Sequence, residues 1–405
     1  MSRPTPEPAR KPAPKPARKP AYEDAGAKPL RIAFVGLRGV PAVYGGVDRV
    51  VEEISTGLAA RGHKIVVFCW SNLYRTKPAE YKGIDLVYKP TIPASYIGTL
   101  VHTMAGCLAA GRMDVDVVHV NNTENAVFGL IPKLFGKKVV IQPHGPAWPI
   151  LKWGKFSERA AFNFKVWLQR VYLYWCRFAV RWWSDRIVVI SGPDADYISR
   201  RPLEKFVLIH NGCNLPGLHP ADKMLALGVM PREYLLFVGR SDPRKGCHYL
   251  IDAFRRIDTS LRLVIVGGPL DSAYGKFLRR IAAGDDRIIF TGPIYDDRLK
   301  ELFSNALVYV HPSESEGQSV ALLEGLAYGN CVVTSDTPES RETAEDNAYY
   351  FRSGDPDDLK RVLERVIADP VGIDDMRRRA RRHVESAYQW QDKIVQYEAM
   401  YSSMI

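Results

Sequence analysis

The sequence lacks several features that would place it in other classes of protein. No run reaches ~18 apolar residues, so a membrane-spanning helix is not expected. The N-terminus carries no apolar core of the kind that a signal peptide needs. The six cysteines, at positions 69, 107, 176, 213, 247 and 331, show neither paired nor metal-like spacing. These absences favour an intracellular protein that keeps its cysteines reduced.

Motifs for common nucleotide and metal sites are missing as well. The dinucleotide fingerprint G-x-G-x-x-G follows the first strand of neither predicted domain, and the phosphate loop G-x-x-x-x-G-K-[ST] does not occur. The D-V-D sequence at 114–116 precedes its strand, on the wrong side for a metal site at the strand's carboxyl end. These strand ends therefore do not indicate a dinucleotide cofactor, and D-V-D does not indicate a metal site.

The net charge of +11 is concentrated in two segments. Residues 1–30 carry seven Lys and Arg against three acids, and residues 146–186 carry eight against two, so the rest of the chain is nearly neutral at +1. A protein that binds nucleic acid over its folded surface usually spreads its basic residues more widely. Nucleic acid is therefore not an expected partner.

Apolar strands alternate with helical patterns over most of the chain, which predicts an α/β fold. The predicted strands form two series, 31–36, 64–70, 116–120, 138–145 and 185–191, then 234–240, 261–268, 287–292, 306–313 and 331–336. Strands separated by helices form parallel, doubly wound sheets that bind ligands at their carboxyl ends. Two Rossmann-like domains are therefore predicted to face each other across a cleft that holds the active site.

These patterns divide the chain into four parts. Residues 1–29 repeat P-A-R-K-P-A and have little apolar surface, which predicts a disordered tail. That tail would serve as a tether or be attracted to an anionic membrane. The N-terminal domain is predicted over residues 30–215 and the C-terminal domain over residues 216–385. Residues 386–405 are expected to form a helix that returns to the N-terminal domain.

The ends of the predicted strands carry candidate site residues. Gly45 and Gly46 precede the first helix, where glycine lets a phosphate or a sugar approach the backbone. His144 ends a strand, where it would contact a sugar hydroxyl or a reacting centre. Arg240 and Lys245 follow the first strand of the second domain, and two cations there can neutralise a departing diphosphate. Each feature alone also fits a plain turn, a structural histidine or solvated cations.

The most informative stretch is H-P-S-E-S-E-G-Q-S-V-A-L-L-E-G at 311–325. It joins a strand through a small-residue corner to a helix that begins near Ser319, with Glu316 and Glu324 eight positions apart. The N–H groups and dipole of such a helix start bind anions. Along a helix, eight positions correspond to about 12 Å. The two acids would therefore suit an elongated ligand that has a polar group at each end and a phosphate between them. Two solvated glutamates on a surface helix are the alternative.

The combined motifs resemble the family-4 retaining glycosyltransferases of the GT-B fold, over about residues 31–400. They appear in the family's order as G-R-x4-K-G (239–246), V-G-G (266–268), T-G (291–292), H-P-S-x-x-E-G (311–317) and E-x7-E (316–324). The stretch 347–359 is also similar to the closing segment of that family. The resemblance implies metal-independent transfer of a sugar from a nucleotide-diphosphate donor, with retention at the anomeric carbon.

The resemblance also implies which residues bind the donor. Arg240 and Lys245 would hold the diphosphate, and Glu324 would hold the ribose hydroxyls. The donor sugar would contact one carboxylate and the residues that follow it, namely Glu316, Gly317, Gln318, Ser319 and Val320.

From the other domain, the resemblance implies that Gly45 and Gly46 approach the donor phosphate or the acceptor, with His144 near the sugar. The residues implied to take part in catalysis are Glu316, His144, Arg240 and Lys245. No strong protein nucleophile is expected, because the chemistry would rest on stabilising the departing diphosphate and an oxocarbenium-like centre.

A narrower resemblance comes from R-G-V-P-A-V-Y-G-G-V-D at 38–48. It is similar to the R-G-x-P-A-x-Y-G-G-x-E stretch of a subgroup that includes bacterial rhamnosyltransferases of surface-polysaccharide assembly. Asp48 stands where glutamate is usual, and Gln318 and Ser319 stand where the family commonly has Phe and Gly. The sugar and base of the donor are therefore left open among UDP, GDP and dTDP derivatives.

Residues 146–186 combine twelve aromatic residues, six of them tryptophan, with a charge of +6. A broad apolar face with tryptophan and basic edges is typical of a helix that lies in a membrane interface, and anionic headgroups would attract it. The predicted contacts to the membrane or to a lipid-linked acceptor are Trp148, Trp153, Lys152 and Lys155. The alternative is a long helix that is buried against the sheet and exposes only a polar stripe.

The sequence leaves three hypotheses open. The first is a cytoplasmic glycosyltransferase, peripheral on the inner membrane face, that transfers a sugar to a polyprenyl-diphosphate-linked saccharide in cell-surface polysaccharide biosynthesis. The second is a GT-B epimerase or phosphorylase, although no lysine environment suggests a pyridoxal cofactor. The third is a non-catalytic protein that binds a membrane or nucleic acid through its basic tail and aromatic helix.

Overall fold

A computed structural model describes residues 28–42, 45–92, 95–145, 164–199 and 203–405 of the chain. Nearly all of the predicted tail, residues 1–27, lies outside these ranges. The four predicted membrane or acceptor contacts also lie outside them, namely Trp148, Lys152, Trp153 and Lys155. The predictions made for the tail and for these four side chains therefore stay predictions.

Eight strands from the described residues before 209 form the first sheet. They are β1 (Arg31–Val35), β2 (Lys64–Trp70), β3 (Glu80–Tyr81), β4 (Ile84–Lys89), β5 (Val117–Asn121), β6 (Lys138–Gln142), β7 (Arg186–Val189) and β8 (Phe206–Leu208). Their order across the sheet is β3-β4-β2-β1-β5-β6-β7-β8, and every pair is parallel except β3 with β4. β3, β4 and β8 are absent from the sequence-based prediction.

A second sheet is formed by six strands that come later in the chain. They are β9 (Tyr234–Val238), β10 (Arg262–Val266), β11 (Ile288–Gly292), β12 (Val308–His311), β13 (Cys331–Ser335) and β14 (Tyr349–Phe351). All pairs are parallel, in the order β11-β10-β9-β12-β13-β14. Of these strands only β14 was not predicted.

The strands are connected by helices that bury one face against the sheets. In the described ranges they are α1 (Gly46–Ala60), α2 (Ser95–Arg112), α3 (Leu130–Leu134), α4 (Phe164–Trp183), α5 (Gly192–Ile198), α6 (Cys247–Arg255), α7 (Ala273–Ala282), α8 (Asp297–Asn305), α9 (Val320–Ala327), α10 (Pro338–Ala344), α11 (Pro356–Ile367), α12 (Pro370–Ala387) and α13 (Trp390–Ser402). α10, α11 and α12 each begin with a side-chain cap from Thr or Asp followed by Pro, a pattern that starts helices efficiently.

Both faces of the first sheet are covered. Ile32 and Phe34 of β1 pack in a core with α1 and α13, whereas Ala33 and Val35 pack on the opposite face with α2 and α4. Burial on two faces explains why the strands read as continuous apolar runs rather than as alternating patterns. The predicted α/β class, with two Rossmann-like doubly wound sheets, is confirmed. Below, the N-terminal half is the first sheet with α1–α5, and the C-terminal half is the second sheet with α6–α12.

The last helix, α13, packs against α1 of the N-terminal half. Gly57 allows the close approach, because a Cβ at that position would lie 2.0 Å from Cδ1 of Ile394. Tyr401 Oη lies 2.6 Å from Nδ1 of His119, which is on β5, so α13 also reaches the core of the first sheet. The predicted boundary at residue 215 falls between β8 and β9, whereas the one at residue 385 falls in the last turn of α12, and both stay predictions.

The two halves meet along the carboxyl edges of their sheets. A Cβ on Gly317 would lie 2.7 Å from Cα of Gly145, so the backbones of the two halves are in direct contact there. Beside this contact, the backbone N–H of Gly192 donates to both carboxylate oxygens of Glu342, at 3.0 and 2.9 Å. The loops that follow the strands of one sheet therefore face the loops of the other across a narrow cleft.

Candidate active site

The loop after β9 brings a lysine into the cleft. Its short 3-10 turn, Pro243–Lys245, begins at Asp242, whose carboxylate accepts a hydrogen bond from the backbone N–H of Arg244 at 3.0 Å. Gly246 follows with a φ of +66°, and a Cβ there would lie 1.9 Å from the carbonyl oxygen of Pro312. Only glycine permits this conformation and this approach. The loop is thereby packed directly against the loop that follows β12.

Lys245 and Glu316 form an ion pair between these two loops, and less than a fifth of either side chain is exposed. Desolvation raises the pKa of Glu316, but the charge of Lys245, the neighbouring His311 and the hydrogen bond from Lys245 outweigh it. The net pKa of Glu316 is therefore below its ordinary value, and the carboxylate is ionised at neutral pH. A fixed cation and a fixed anion thus meet at the carboxyl edge of the second sheet.

His311, the last residue of β12, orders this loop; the sequence-based prediction included it in the H-P-S-x-x-E-G motif but gave it no role. Its Nε2 lies 2.9 Å from Oγ of Ser319 and 3.8 Å from Oε1 of Glu316, and its Nδ1 lies 3.3 Å from Oγ1 of Thr334. Burial lowers the pKa of His311 to about 4, so the ring is neutral at neutral pH. The signal that could have found it is its position as the first polar residue after an apolar strand.

The start of α9 lies beside the ion pair, where the sequence predicts it. Ser319 caps the helix by accepting a hydrogen bond from the backbone N–H of Leu322 at 3.4 Å. Next to it, Gln318 is buried, and its Oε1 accepts a hydrogen bond from the backbone N–H of Asn211 at 2.6 Å. Both side chains therefore organise the loop and the contact between the halves. Their contacts with a donor sugar stay predictions.

Glu324, on the second turn of α9, faces α1 of the other half. Nη1 of Arg49 lies 2.6 Å from its Oε1. Desolvation raises the pKa of Glu324, and Arg49 opposes this rise without cancelling it. Gly45 and Gly46, at the start of α1, are exposed, and a Cβ on Gly46 would lie 3.5 Å from Cγ2 of Val320. The starts of α1 and α9 thus face each other across the cleft.

His144 reaches the cleft from β6 with an unusual backbone φ of +58°. Its Nε2 lies 2.8 Å from Oδ1 of Asn121, and the Nδ2 of Asn121 donates to the carbonyl of Val35 at 3.0 Å. Since that contact assigns Oδ1 as the acceptor, His144 carries its hydrogen on Nε2 and leaves Nδ1 as an acceptor. Desolvation lowers the pKa of His144 to about 3. The neutral ring can accept a hydrogen bond from a hydroxyl, but it is not a cationic acid at neutral pH.

A cavity of about 140 Å³ opens between α1, α9 and the connection at 212–216. Its charged and polar lining includes Arg49, Glu53, Asn214 and Glu324. Nδ2 of Asn214 donates to Oε1 of Glu53 at 2.9 Å, so the connection between the halves is tied to α1 beside the cavity. The second glutamate of the E-x7-E motif therefore lies in a recess between the halves.

Arg240 does not join the ion pair of Lys245 and Glu316. It is exposed at the end of β9, and within the described ranges it forms no ion pair. Its predicted contact with a diphosphate stays a prediction. Among the described residues, no group of three or more His, Cys, Asp and Glu side chains is placed to hold a metal ion.

α4 presents an aromatic face to solvent. The exposed residues along it are Trp167, Leu168, Tyr174, Trp175, Phe178 and Trp182. Ring centroids of Trp175 and Phe178 are 5.8 Å apart, and those of Phe178 and Trp182 are 5.6 Å apart. The alternative of a helix that exposes only a polar stripe is therefore wrong for the described part of this segment. No helix in the described ranges combines the length and apolar character needed to cross a membrane.

Two family models match the chain, one over most of each half. The model described as "Glycosyltransferase Family 4" matches residues 44–215, and the model described as "Glycosyl transferases group 1" matches residues 228–387. His144 lies within the first match, and Lys245, Glu316 and Glu324 lie within the second.

Individual proteins are similar at lower identity. An uncharacterized glycosyltransferase of Methanocaldococcus jannaschii is 29% identical over 388 residues, which are 89% of this chain and 95% of that protein. The D-inositol 3-phosphate glycosyltransferase of Streptomyces avermitilis is 29% identical over 224 residues, which are 50% of this chain and 48% of that protein. The chain thus spans about half the length of the second relative.

Solved structures share the fold. Sucrose-phosphate synthase from Thermosynechococcus elongatus superposes with a TM-score of 0.75 at 22% identity, covering 93% of this chain and 99% of that one. HepE of Anabaena in complex with UDP and glucose superposes with a TM-score of 0.74 at 17% identity, covering 92% and 100%. With the family matches, these likenesses confirm the predicted GT-B fold.

Proposed function

We propose that this family-4-like glycosyltransferase moves a sugar from a nucleotide-diphosphate donor to a lipid-linked saccharide at a membrane surface. The observation that carries the proposal is the meeting of Lys245, Glu316 and the start of α9 in the cleft. A lysine cation and a helix N-terminus neutralise a diphosphate, and a carboxylate beside them suits sugar hydroxyls. The binding of UDP and glucose by HepE, a protein of similar fold, supports a nucleotide-sugar donor.

In the proposed reaction, the acceptor oxygen bonds to the anomeric carbon with retention as the bond to the diphosphate breaks. The nucleoside diphosphate leaves with the electron pair, and the hydroxyl proton is lost to it or to water. Lys245 and the α9 dipole stabilise the negative charge that develops on the leaving group. His144, neutral with Nδ1 as an acceptor, holds a sugar hydroxyl. Because Lys245 and the α9 dipole neutralise the charge of the leaving diphosphate, we expect that the reaction does not require a metal.

The donor proposal predicts stabilisation by one nucleoside diphosphate. UDP, GDP and dTDP are each added at about a hundred times an expected dissociation constant, where binding would stabilise the fold by about 2.7 kcal/mol. We expect one of the three to raise the melting temperature by several degrees in differential scanning fluorimetry. The matching monophosphate is expected to do less, because Lys245 and α9 act on the outer phosphate. Stabilisation by none of the three would contradict the donor assignment.

The acceptor side of the proposal rests on the aromatic face of α4. A soluble protein rarely exposes several large aromatic side chains along one helix unless they meet a partner. Arg181, on the same helix, is also exposed, as is the neighbouring apolar residue Leu134 of α3. Tryptophan and tyrosine with a basic edge are favourable at a membrane interface. We propose that this face lies on the cytoplasmic leaflet and that the cleft thereby faces a polyprenyl-diphosphate-linked saccharide. The proposal that the protein belongs to the rhamnosyltransferase-like subgroup rests on sequence resemblance alone.

Membrane docking by α4 predicts a specific loss on substitution. The triple variant W175Q/F178Q/W182Q is expected to bind vesicles of phosphatidylglycerol and phosphatidylcholine at least about tenfold more weakly, since each buried aromatic side chain contributes about 1.5–3 kcal/mol. Sedimentation of the full chain with vesicles measures the binding. Because every sample contains the N-terminal tail, any binding by the tail is the same in all of them. Tyr295→Gln, which changes a still more exposed aromatic residue in the C-terminal half, is the control. Unchanged vesicle binding by the triple variant would contradict docking through α4.

A further inference from the structure

An ion pair links the two halves at the carboxylate that would hold the ribose. Arg49 comes from the first turn of α1 and Glu324 from the second turn of α9, and Nη1 lies 2.6 Å from Oε1. The arginine side chain is 62% exposed, whereas the glutamate side chain is 24% exposed. Because each half supplies one partner, the pair exists only while α1 and α9 are in contact. Arg49 is missing from the sequence-based prediction.

The surroundings of Glu324 leave it dependent on this one cation. The titratable groups that act on its charge or share its recess are Arg49 and Glu53 of α1, Cys213 of the connection, Tyr309 of β12 and Tyr328 at the end of α9. Within the described residues, Arg49 is the only cation among them. The others are neutral or negative at neutral pH, so none of them replaces its charge.

We infer that Arg49 is a positioning residue for the donor nucleotide, which keeps Glu324 ionised and oriented to accept hydrogen bonds from the ribose. The inference rests on the proposed nucleotide donor. An ionised carboxylate offers about four lone-pair sites on two oxygens, so an arginine on one oxygen leaves the other for ribose hydroxyls. Since the arginine belongs to the opposite half, the same contact couples nucleotide binding to the approach of α1 and α9.

The inference has a consequence for pH. Desolvation raises the pKa of Glu324, and the charge of Arg49 opposes that rise. Without the arginine, the carboxylate takes up a proton at a higher pH. A protonated carboxyl is a weaker acceptor for the ribose than a carboxylate. Nucleotide binding would then weaken as pH falls and recover as pH rises, whereas with Arg49 in place it should vary little near neutral pH.

The test compares Arg49→Gln and Arg49→Lys by isothermal titration with UDP, GDP and dTDP. For the nucleotide that binds, wild-type affinity is expected to change less than about threefold between about pH 6 and pH 8. Arg49→Gln is expected to bind more weakly at about pH 6 than at about pH 8, by more than the roughly threefold limit set for the wild type, because loss of the arginine charge moves the pKa of Glu324 further upward. Arg49→Lys keeps the charge and is expected to restore most of the flat profile. The side chain is largely exposed, so neither variant should unfold the protein.

Arg61→Gln is the matched control, because Arg61 follows the far end of α1 and its Nε pairs with Glu398 at 2.7 Å. It lies about 18 Å along the helix from Arg49 and should leave binding unchanged. A flat profile and wild-type affinity in Arg49→Gln would overturn the inference alone. Equal weakening in the Gln and Lys variants at every pH would also overturn it, since charge would not be the cause. Absence of binding by the wild type would overturn the proposed donor, and the inference with it.

Discussion

Glu316→Gln is expected to lower the turnover number for sugar transfer at least about a hundredfold, because it removes a charge placed at the reacting sugar. The amide has the same size and still forms hydrogen bonds, so the loop should stay folded. Lys245, no longer paired with Glu316, would be free to contact the donor phosphate more strongly in the ground state. The Michaelis constant for the donor should therefore stay level or fall while turnover drops. Release of nucleoside diphosphate, measured at saturating donor and acceptor, gives both constants.

Glu314→Gln is the control for this substitution. Glu314 lies in the same loop, and its carboxylate accepts a hydrogen bond from the phenol of Tyr249. The carboxylate that pairs with Lys245 is that of Glu316 and not that of Glu314, so turnover should change less than about threefold. Retention of more than about a tenth of wild-type turnover in Glu316→Gln would contradict a role at the sugar. Equal losses in both variants would point to the loop as a whole rather than to one carboxylate.

The parts of the site that could be read from the sequence are those set by local patterns. Strands that are apolar throughout, followed by glycine and polar residues, predict both the parallel sheets and the edge at which ligands bind. The start of α9 at Ser319 follows from a serine before an apolar helical run, a local rule of helix capping. Lys245 and Glu316 were placed in one site by the order of motifs, and their ion pair shows that the two loops do meet.

The parts that could not be read depend on how distant segments pack. The pairing of Arg49 with Glu324 spans 275 positions and requires the approach of the two halves, which no local pattern encodes. The same is true of the contact between Asn211 and Gln318. β3, β8 and β14 have only two or three residues each, too few for a periodic pattern. The exposed face of α4 was ambiguous because an aromatic stripe fits a core as well as a membrane interface.

Lys245→Ala is expected to reduce turnover by about 10²–10³, the cost of removing one preorganised charge from a developing oxyanion. The loss has a second part, because Glu316 would lose the cation that keeps its pKa low while desolvation would continue to raise it. Remaining activity should therefore fall as pH is lowered, through a range in which the wild type is insensitive. Lys245→Arg keeps the charge and should recover part of the turnover. Initial rates across pH, with the donor saturating, measure both effects.

Arg244→Ala separates this effect from a general loss of positive charge. Arg244 is the neighbouring cation, but its guanidinium forms an ion pair with Asp242, in which Nη2 lies 2.5 Å from Oδ2. It should therefore supply little charge to the leaving group, and its variant should keep turnover within about fivefold of the wild type. Unchanged turnover in Lys245→Ala would remove the diphosphate assignment. A fall in both variants by the same factor would show that the loop responds to charge as a whole. A loss confined to Lys245, with part of the turnover recovered in Lys245→Arg, is the result expected if its ammonium group faces the departing diphosphate.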